Sequence, residues 1–286
     1  MADGSPAAGV IGVTHTGLCV SDLERSLGYY GTALGLDVLD RVGGTASLGA
    51  GGRELVVLVE EPGASPAPGR TGLYHFALLV PGRGGLARWL AHAIRDRVPL
   101  VGLADHFVSE AIYLSDPDRH GIEIYADRPR DVWEGDVATR LTTLPLDVDS
   151  LLGELDDPAS APFDGLEAGT RMGHVHLKVA SIPETLTFYR DTLGFDLMAQ
   201  LGGQAAFLSA GGYHHHIGAN TWESAHGAPP PPGAAALRHA TIVLHDSAER
   251  DRAVRRLEHA RVEIGDHDGQ PSVTDPSGNA LVLAVS

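Results

Sequence analysis

The chain has 286 residues, 43% of them hydrophobic and 20% charged, and a formal net charge of −16 at pH 7. This length favours about two domains with substantial hydrophobic cores, and the acidic balance argues against nucleic-acid or anionic-membrane partners, which clustered Lys and Arg would bind. The single cysteine, Cys19, excludes an intrachain disulfide framework and a thiolate-rich zinc or iron–sulfur site, and its apolar surroundings predict a buried thiol.

The first residues, MADGSPAAGV, lack the basic and apolar regions of a signal peptide. No apolar stretch approaches the length of a transmembrane helix. We therefore expect a cytoplasmic protein.

The first half of the chain predicts two βαβββ modules in succession. HTGLCVSDLERSLGYYGTALGLDVL, from His15, predicts a strand, an amphipathic helix that ends at Leu-Gly, and a further strand. ASLGAGGRELVVLV then predicts a hairpin that turns at Gly-Gly. After the Pro/Gly-rich connection of residues 61–72, a strand headed by His75 leads to the helix GLARWLAHAIRDR and to the closing segment SDPDRHGIEIY.

The second half repeats the first. HVHLKVASIPETLTFYRDTLGFDLM, from His174, aligns without gaps with the segment from His15, and AAFLSAGGYHHHIGA repeats the hairpin. A strand headed by His239 and the closing segment TDPSGNALVL complete the match. We predict an α+β fold of four modules, with domains at residues 1–130 and 171–286 and a linker at 131–170 that holds one short helix, DVDSLLGEL.

The second module carries a complete set of polar residues: His75, His106, Tyr113 and Glu123. Two histidines and one carboxylate, with other positions left open, form the site type that non-haem Fe(II) uses with dioxygen. His75 and Glu123 lie on the first and last strands of this module. Tyr113 and Glu123 can share a cavity if their strands are antiparallel neighbours.

The third ligand must come from another module, and His15 and His174 hold equivalent positions. The module of His174 also contains Tyr213-His214-His215-His216, which we expect on a strand with His214 and His216 on one face and His215 on the other. A histidine beside a metal-bound substrate is the expected acid–base group near neutral pH.

The fourth module lacks a complete set. His239 and His267 correspond to His75 and His106, but Ser272 and Val282 stand where Tyr113 and Glu123 would. A second complete metal site is not expected there, although His15, Glu54 and His239 could form a partial one.

The segment from His106 to Glu123 resembles the signature of extradiol ring-cleaving dioxygenases of the catechol 2,3-dioxygenase type, within the vicinal oxygen chelate superfamily. The matching positions are His106, Ile112-Tyr113, Asp116-Pro117 and Glu123. The resemblance covers about residues 11–130 and 171–286. Arg119 departs from the usual glycine of the turn before Glu123, and Ala104 departs from the residue usually found before Asp105-His106.

The resemblance implies glyoxalase-like domains with antiparallel or mixed sheets curled around a metal cavity. It implies an Fe(II) centre, with Mn(II) as the alternative ion, held by His75, Glu123 and His174, or by His15 in place of His174. It implies that His106 and Tyr113 contact the substrate and that His214 or His216 is the acid–base histidine. A site built across the two halves, with His174, is the favoured arrangement.

The implied substrates are a small aromatic diol and O₂, in the catabolism of aromatic compounds, and a homo-oligomer is compatible with the sequence. Two alternatives stay open. One is a glyoxalase- or isomerase-like metalloenzyme with a fourth protein ligand such as His216. The other is a non-catalytic protein that sequesters an antibiotic or aromatic ligand, against which the complete set in the second module argues.

Overall fold

The structure is a computed structural model that describes residues 10–286. Residues 1–9, on which the prediction of no signal peptide mainly rests, lie outside the described residues. Within the described range, the four predicted βαβββ modules and the α+β class are confirmed. In the described part of the chain, no helix is both long and apolar enough to cross a membrane.

The elements of the first half follow the predicted order. The first module consists of β1 (Val10–Val20), α1 (Leu23–Tyr29) with a π-helical continuation (Tyr30–Leu34), β2 (Asp37–Val42), β3 (Thr45–Ala50) and β4 (Arg53–Glu60). After the short strand β5 (Ser65–Pro66), the second module consists of β6 (Gly72–Leu79), α2 (Arg83–Asp96), β7 (Gly102–Asp105), β8 (Ser109–Ser115) and β9 (Gly121–Asp127).

The second half repeats this order. The third module consists of β10 (Arg171–Lys178), α6 (Ile182–Leu186) with a π-helical continuation (Thr187–Leu193), β11 (Asp196–Leu201), β12 (Ala205–Ser209) and β13 (Ile217–Asn220). After β14 (Ala234–Ala235), the fourth consists of β15 (Leu237–Leu244), α7 (Ser247–His259), β16 (Gly265–His267), β17 (Gln270–Thr274) and β18 (Ala280–Val285).

The linker contains more regular structure than the sequence indicated. Its helices are α3 (Arg130–Trp133), α4 (Val137–Arg140) and α5 (Val148–Leu152), of which only α5 was predicted. Leu144 forms an isolated bridge with Asp105 at the end of β7. The linker therefore contacts the second module at Asp105, next to His106.

The strands form two eight-stranded sheets, in the orders β16-β17-β18-β15-β1-β4-β3-β2 and β11-β12-β13-β10-β6-β9-β8-β7. In each module the first strand is parallel to the last, whereas β1 is antiparallel to β15 and β10 to β6. One sheet thus joins modules one and four, and the other joins modules two and three. Each sheet draws on both halves of the chain.

The modules of each half are also connected through a buried Tyr–Asp contact. The Tyr30 hydroxyl donates to Asp116, and the Tyr189 hydroxyl donates to Asp275, both at 3.1 Å. Each aspartate begins an Asp-Pro turn, and its other oxygen accepts backbone N–H groups of that turn. These contacts fix the turns that lead into β9 and β18. Cys19 is buried, as predicted.

Candidate metal centre and active site

Three donor groups from three neighbouring strands meet in the sheet of modules two and three. His75 is on β6, Glu123 on β9 and His174 on β10, and all three side chains are buried. The Oε2 atom of Glu123 lies 3.0 Å from Nε2 of His75 and 3.2 Å from Nε2 of His174. The two Nε2 atoms are 3.3 Å apart. Among the described residues, this is the one group of three such side chains whose ligand atoms already lie within 4.8 Å of one another.

The register of the strands explains why these groups converge. Ala77 on the central strand β6 pairs with Glu123 on one side and with His174 on the other. His75 is two residues before Ala77 and therefore lies on the same face of the sheet. Because Ala77 carries only a methyl group, it leaves the space above β6 free for the three longer side chains.

The donor set fits a divalent metal ion. Ligands at right angles around one ion, with bonds of about 2.1 Å, lie about 3.0 Å apart, close to the separations observed here. Two imidazoles and a carboxylate on one side, with further positions open, suit a non-haem iron centre. His75, Glu123 and His174 would hold the ion.

The electrostatics of the cluster favour the metal-binding protonation states. Burial alone would raise the pKa of Glu123, but the imidazoles of His174 and His75 outweigh it and hold this pKa well below its ordinary range. Burial lowers the pKa of His174 to about 4, although Glu123 acts in the opposite direction. At neutral pH the cluster thus offers a carboxylate and a neutral imidazole.

His106 and Tyr113 form a hydrogen-bonded pair beside the cluster. Tyr113 pairs directly with Glu123 across the antiparallel strands β8 and β9, and its hydroxyl lies 2.7 Å from Nε2 of His106. Nδ1 of His106 lies 2.7 Å from the carbonyl oxygen of Thr142. Because a carbonyl only accepts, Nδ1 carries the proton, and Nε2 accepts from Tyr113. Thr142 belongs to the linker, and sequence reasoning did not identify it.

The histidine triplet differs from the expected arrangement. Residues 213–216 lie in the connection between β12 and β13, so the expected strand with His214 and His216 on one face is wrong. His214 contacts Asp127 through Nε2 at 2.9 Å. Nδ1 of His216 lies 3.1 Å from the Ser209 hydroxyl. The ring centroid of His215 lies 4.0 Å from that of His174, so His215 is the member of the triplet that packs against the metal cluster.

His176 is a further buried residue beside the metal cluster that sequence reasoning missed. Its buried ring lies 4.9 Å from that of His75 and 5.2 Å from that of Tyr74. Its Nε2 atom has no hydrogen-bond partner among the described residues. Strand alternation was the available signal, because His176 follows His174 by two residues.

The alternative third ligand, His15, is not near this cluster in the sheet arrangement. It lies on β1 of the other sheet, where Nδ1 is 3.8 Å from a carboxylate oxygen of Glu54. Its ring is 5.6 Å from that of His239. The structure therefore brings His75 and Glu123 together with His174.

Comparison with protein families gives two matches along the chain. A family model described as "Glyoxalase/Bleomycin resistance protein/Dioxygenase superfamily" matches residues 12–124 and 171–283. These ranges correspond to the two sequence repeats and leave the linker unmatched.

One curated relative and two solved structures are similar over nearly the whole chain. The chain is 42% identical over 283 residues to the catechol-2,3-dioxygenase of Bacillus subtilis (strain 168), covering 95% of this chain and 97% of the relative. A solved structure from Bacillus subtilis subsp. subtilis str. 168 has a TM-score of 0.65 at 17% identity, covering 96% of this chain and 85% of that one. Glyoxalase I from Zea mays has a TM-score of 0.59 at 18% identity, covering 95% and 91%. The two structures support the fold alone.

Proposed function

Since the chain belongs to the Glyoxalase/Bleomycin resistance protein/Dioxygenase superfamily, as its sequence predicted, we propose that it is an Fe(II)-dependent extradiol dioxygenase that cleaves a catechol-type ring with O₂. Its enzyme class, a ring-cleaving dioxygenase, is confirmed by the 42% identical catechol-2,3-dioxygenase. The identity of the metal, the aromatic diol substrate and a cytoplasmic role in aromatic catabolism are part of the proposal.

The observation that carries the proposal is the convergence of His75, Glu123 and His174 within 3.3 Å of one another. A facial set of this composition suits Fe(II), and Mn(II) has overlapping ligand preferences. Bound there, the metal supplies the Lewis acidity and redox chemistry that ring cleavage with O₂ requires.

The remaining residues of the cavity bind substrate and handle protons. His106 and Tyr113 form a preorganised pair that can exchange its internal hydrogen bond for one to a substrate hydroxyl. Burial, and to a lesser extent the negative charge of Glu123, raises the pKa of Tyr113 well above its ordinary value. The phenol therefore keeps its proton and stays a hydrogen-bond donor. Tyr74 and His176 supply ring faces that exclude water beside His75.

We assign the acid–base role to His215 in place of His214 or His216. His215 packs on the cluster residue His174, and its Nδ1 lies 2.8 Å from Nδ1 of His214. His214 in turn contacts Asp127, which orients the pair from behind. His216 also fails to support the isomerase alternative, because its Nδ1 faces Ser209 and the backbone N–H of Ala210.

Oxygen uptake with catechol tests the proposal. Chelator-treated protein is loaded anaerobically with Fe(II) or with Mn(II), and oxygen consumption is recorded together with the spectrum of the product. We expect catechol-dependent uptake and a ring-opened product that contains both oxygen atoms of O₂. The Glu123→Ala variant should retain no metal and show no turnover. Absence of uptake with either metal, or uptake by Glu123→Ala, would overturn the proposal.

A further inference from the structure

A cavity lies on the sheet of modules one and four. It has a volume of about 400 Å³, and its wall includes the side chains of His15, Glu54, His239, Thr241 and His267. None of these residues belongs to the metal centre of the other sheet. The cavity thus brings three imidazole rings and a carboxylate together at its wall.

The strand register shows that the cavity occupies the place equivalent to the metal centre. Thr241 pairs with Val282 as Ala77 pairs with Glu123. His239 is therefore the equivalent of His75, and Val282 stands in place of the Glu123 carboxylate. The last strand of the fourth module provides no metal ligand at this position.

The carboxylate comes from a different strand. Thr16 pairs with Val56 as Val175 pairs with Ile217. One residue before Thr16 is His15, the equivalent of His174. Two residues before Val56 is Glu54, which takes the position that His215 has in the other sheet.

The contacts bring these groups to one side of the cavity. Nδ1 of His15 is 3.8 Å from Oε1 of Glu54, and the ring of His239 lies 5.6 Å from that of His15. The ring of His267 lies 4.4 Å from that of His239. The Glu54 side chain is 41% exposed, so it can rotate toward both histidines without repacking a core.

An independent observation is the state of His239. It is only 7% exposed, and its Nδ1 atom is buried without a hydrogen-bond partner among the described residues. A buried polar atom left without a partner costs free energy unless a ligand compensates for it. A divalent cation coordinated by Nδ1 would supply the partner that this buried atom lacks.

We propose that this cavity binds a divalent transition-metal ion through His15, His239 and Glu54, with His267 at the rim. Imidazole with carboxylate suits Zn²⁺, Ni²⁺ and Cu²⁺. Asp40 and Asp268 also line the cavity and add negative charge that attracts a cation. The site differs from the first in taking its carboxylate from β4, and it is separate from the proposed ring-cleavage centre.

The test is the number of Zn²⁺ ions that one chain binds. Metal-free protein is dialysed against Zn²⁺, and bound metal is measured by elemental analysis, with circular dichroism to verify folding of each variant. We expect two equivalents for the unmodified chain and for His245→Ala, a matched control at a histidine whose side chain is 72% exposed and outside both proposed metal sites. His239→Ala should lose one equivalent. Glu54→Gln preserves the shape of the side chain but removes its charge. It should lower the affinity of one of the two sites for Zn²⁺ about tenfold or more.

The two sites are separated by a further pair of variants. His174→Ala should keep the equivalent that His239→Ala loses. The unmodified chain could also bind only one equivalent. If that equivalent disappears in His239→Ala, the result would support the site at His239 and count against the site at His174. An unchanged number of equivalents and unchanged affinity in both His239→Ala and Glu54→Gln would overturn the inference.

Discussion

The Tyr113 hydroxyl is the first member of a hydrogen-bonded chain that orients His106. It donates to Nε2 of His106, whose Nδ1–H is directed to the carbonyl of Thr142. The tautomer of His106 is therefore set by a linker residue before substrate binds.

Tyr113→Phe should lower kcat/KM for catechol roughly tenfold or more, the effect of losing a hydrogen bond to a charged group. Metal content should not change, because Tyr113 is not among the three donors. Steady-state oxygen uptake and metal analysis on the same preparation give both quantities. Full activity in Tyr113→Phe would show that the hydroxyl has no part in turnover.

His215 gives the second prediction at this scale. His215→Phe should lower kcat about 100-fold or more, as expected for loss of a general acid–base group, and should leave the metal bound. His216→Phe should lower kcat less, because His216 contacts Ser209 rather than the cluster. His245→Phe is the exposed control. A larger loss of kcat in His216→Phe than in His215→Phe would reverse the assignment.

The three side chains of the proposed metal centre were easier to identify from the sequence than the residues around them. His75 and Glu123 fall on the first and last strands of one module, and the repeat made His174 a candidate before any coordinates. His215 was missed because residues 213–216 were expected to continue a strand, whereas the chain leaves β12 and forms a connection there. Thr142 carries no sequence signal, since it contributes only a backbone carbonyl.

Among the elements, the turn before β9 carries the departure from the family pattern that lies nearest in the chain to Glu123. Arg119 adopts a left-handed conformation with φ of 67°, and Gly278 has φ of 85° at the equivalent place before β18. The turn is retained because Asp116 accepts the backbone N–H groups of Asp118 and His120. The departure therefore leaves Glu123 in place.

Arg119→Gly should raise the free energy of unfolding by about 0.5–1 kcal/mol, because glycine adopts this conformation without the steric cost of a side chain. Urea denaturation measures the difference. The matched Gly278→Ala variant should lower stability, since its Cβ would lie 2.4 Å from Pro229. A loss of stability in Arg119→Gly would indicate that the arginine side chain makes a stabilising contact.

The helices and hairpins were predictable because their signals are local. The helix that follows β1 is capped by Asp22 and ends at Gly35 with φ of 81°, and the helix that follows β10 is capped by Ser181 and ends at Gly194 with φ of 90°. The antiparallel neighbour of each module's first strand was not predictable in this way, because it lies far away in the sequence. Apolar alternation in β1 fits any neighbouring strand, so the strand pattern by itself does not select β15, more than 200 residues away, over β6.

In the whole molecule, the pairing of modules across the two halves makes each half dependent on the other. β1 and β6 belong to the first half, but their antiparallel partners β15 and β10 belong to the second. A separated half would expose two central strands with unpaired backbone groups.

Residues 1–130 and residues 171–286, expressed separately, should each fail to unfold cooperatively as monomers. Expressed together, they should form a folded complex. Size-exclusion chromatography and thermal circular dichroism distinguish these states. A monomeric residue 1–130 fragment with a cooperative transition would mean that the first half is an autonomous domain.

We propose that one active site is assembled from both halves of the chain through His75, Glu123 and His174. Catechol-dependent oxygen uptake of Fe(II)-loaded His174→Ala, measured beside His15→Ala, tests it most directly. We predict that His174→Ala loses turnover, whereas His15→Ala keeps that of the unmodified chain. Turnover retained in His174→Ala and lost in His15→Ala would instead place the active site within the first half of the chain.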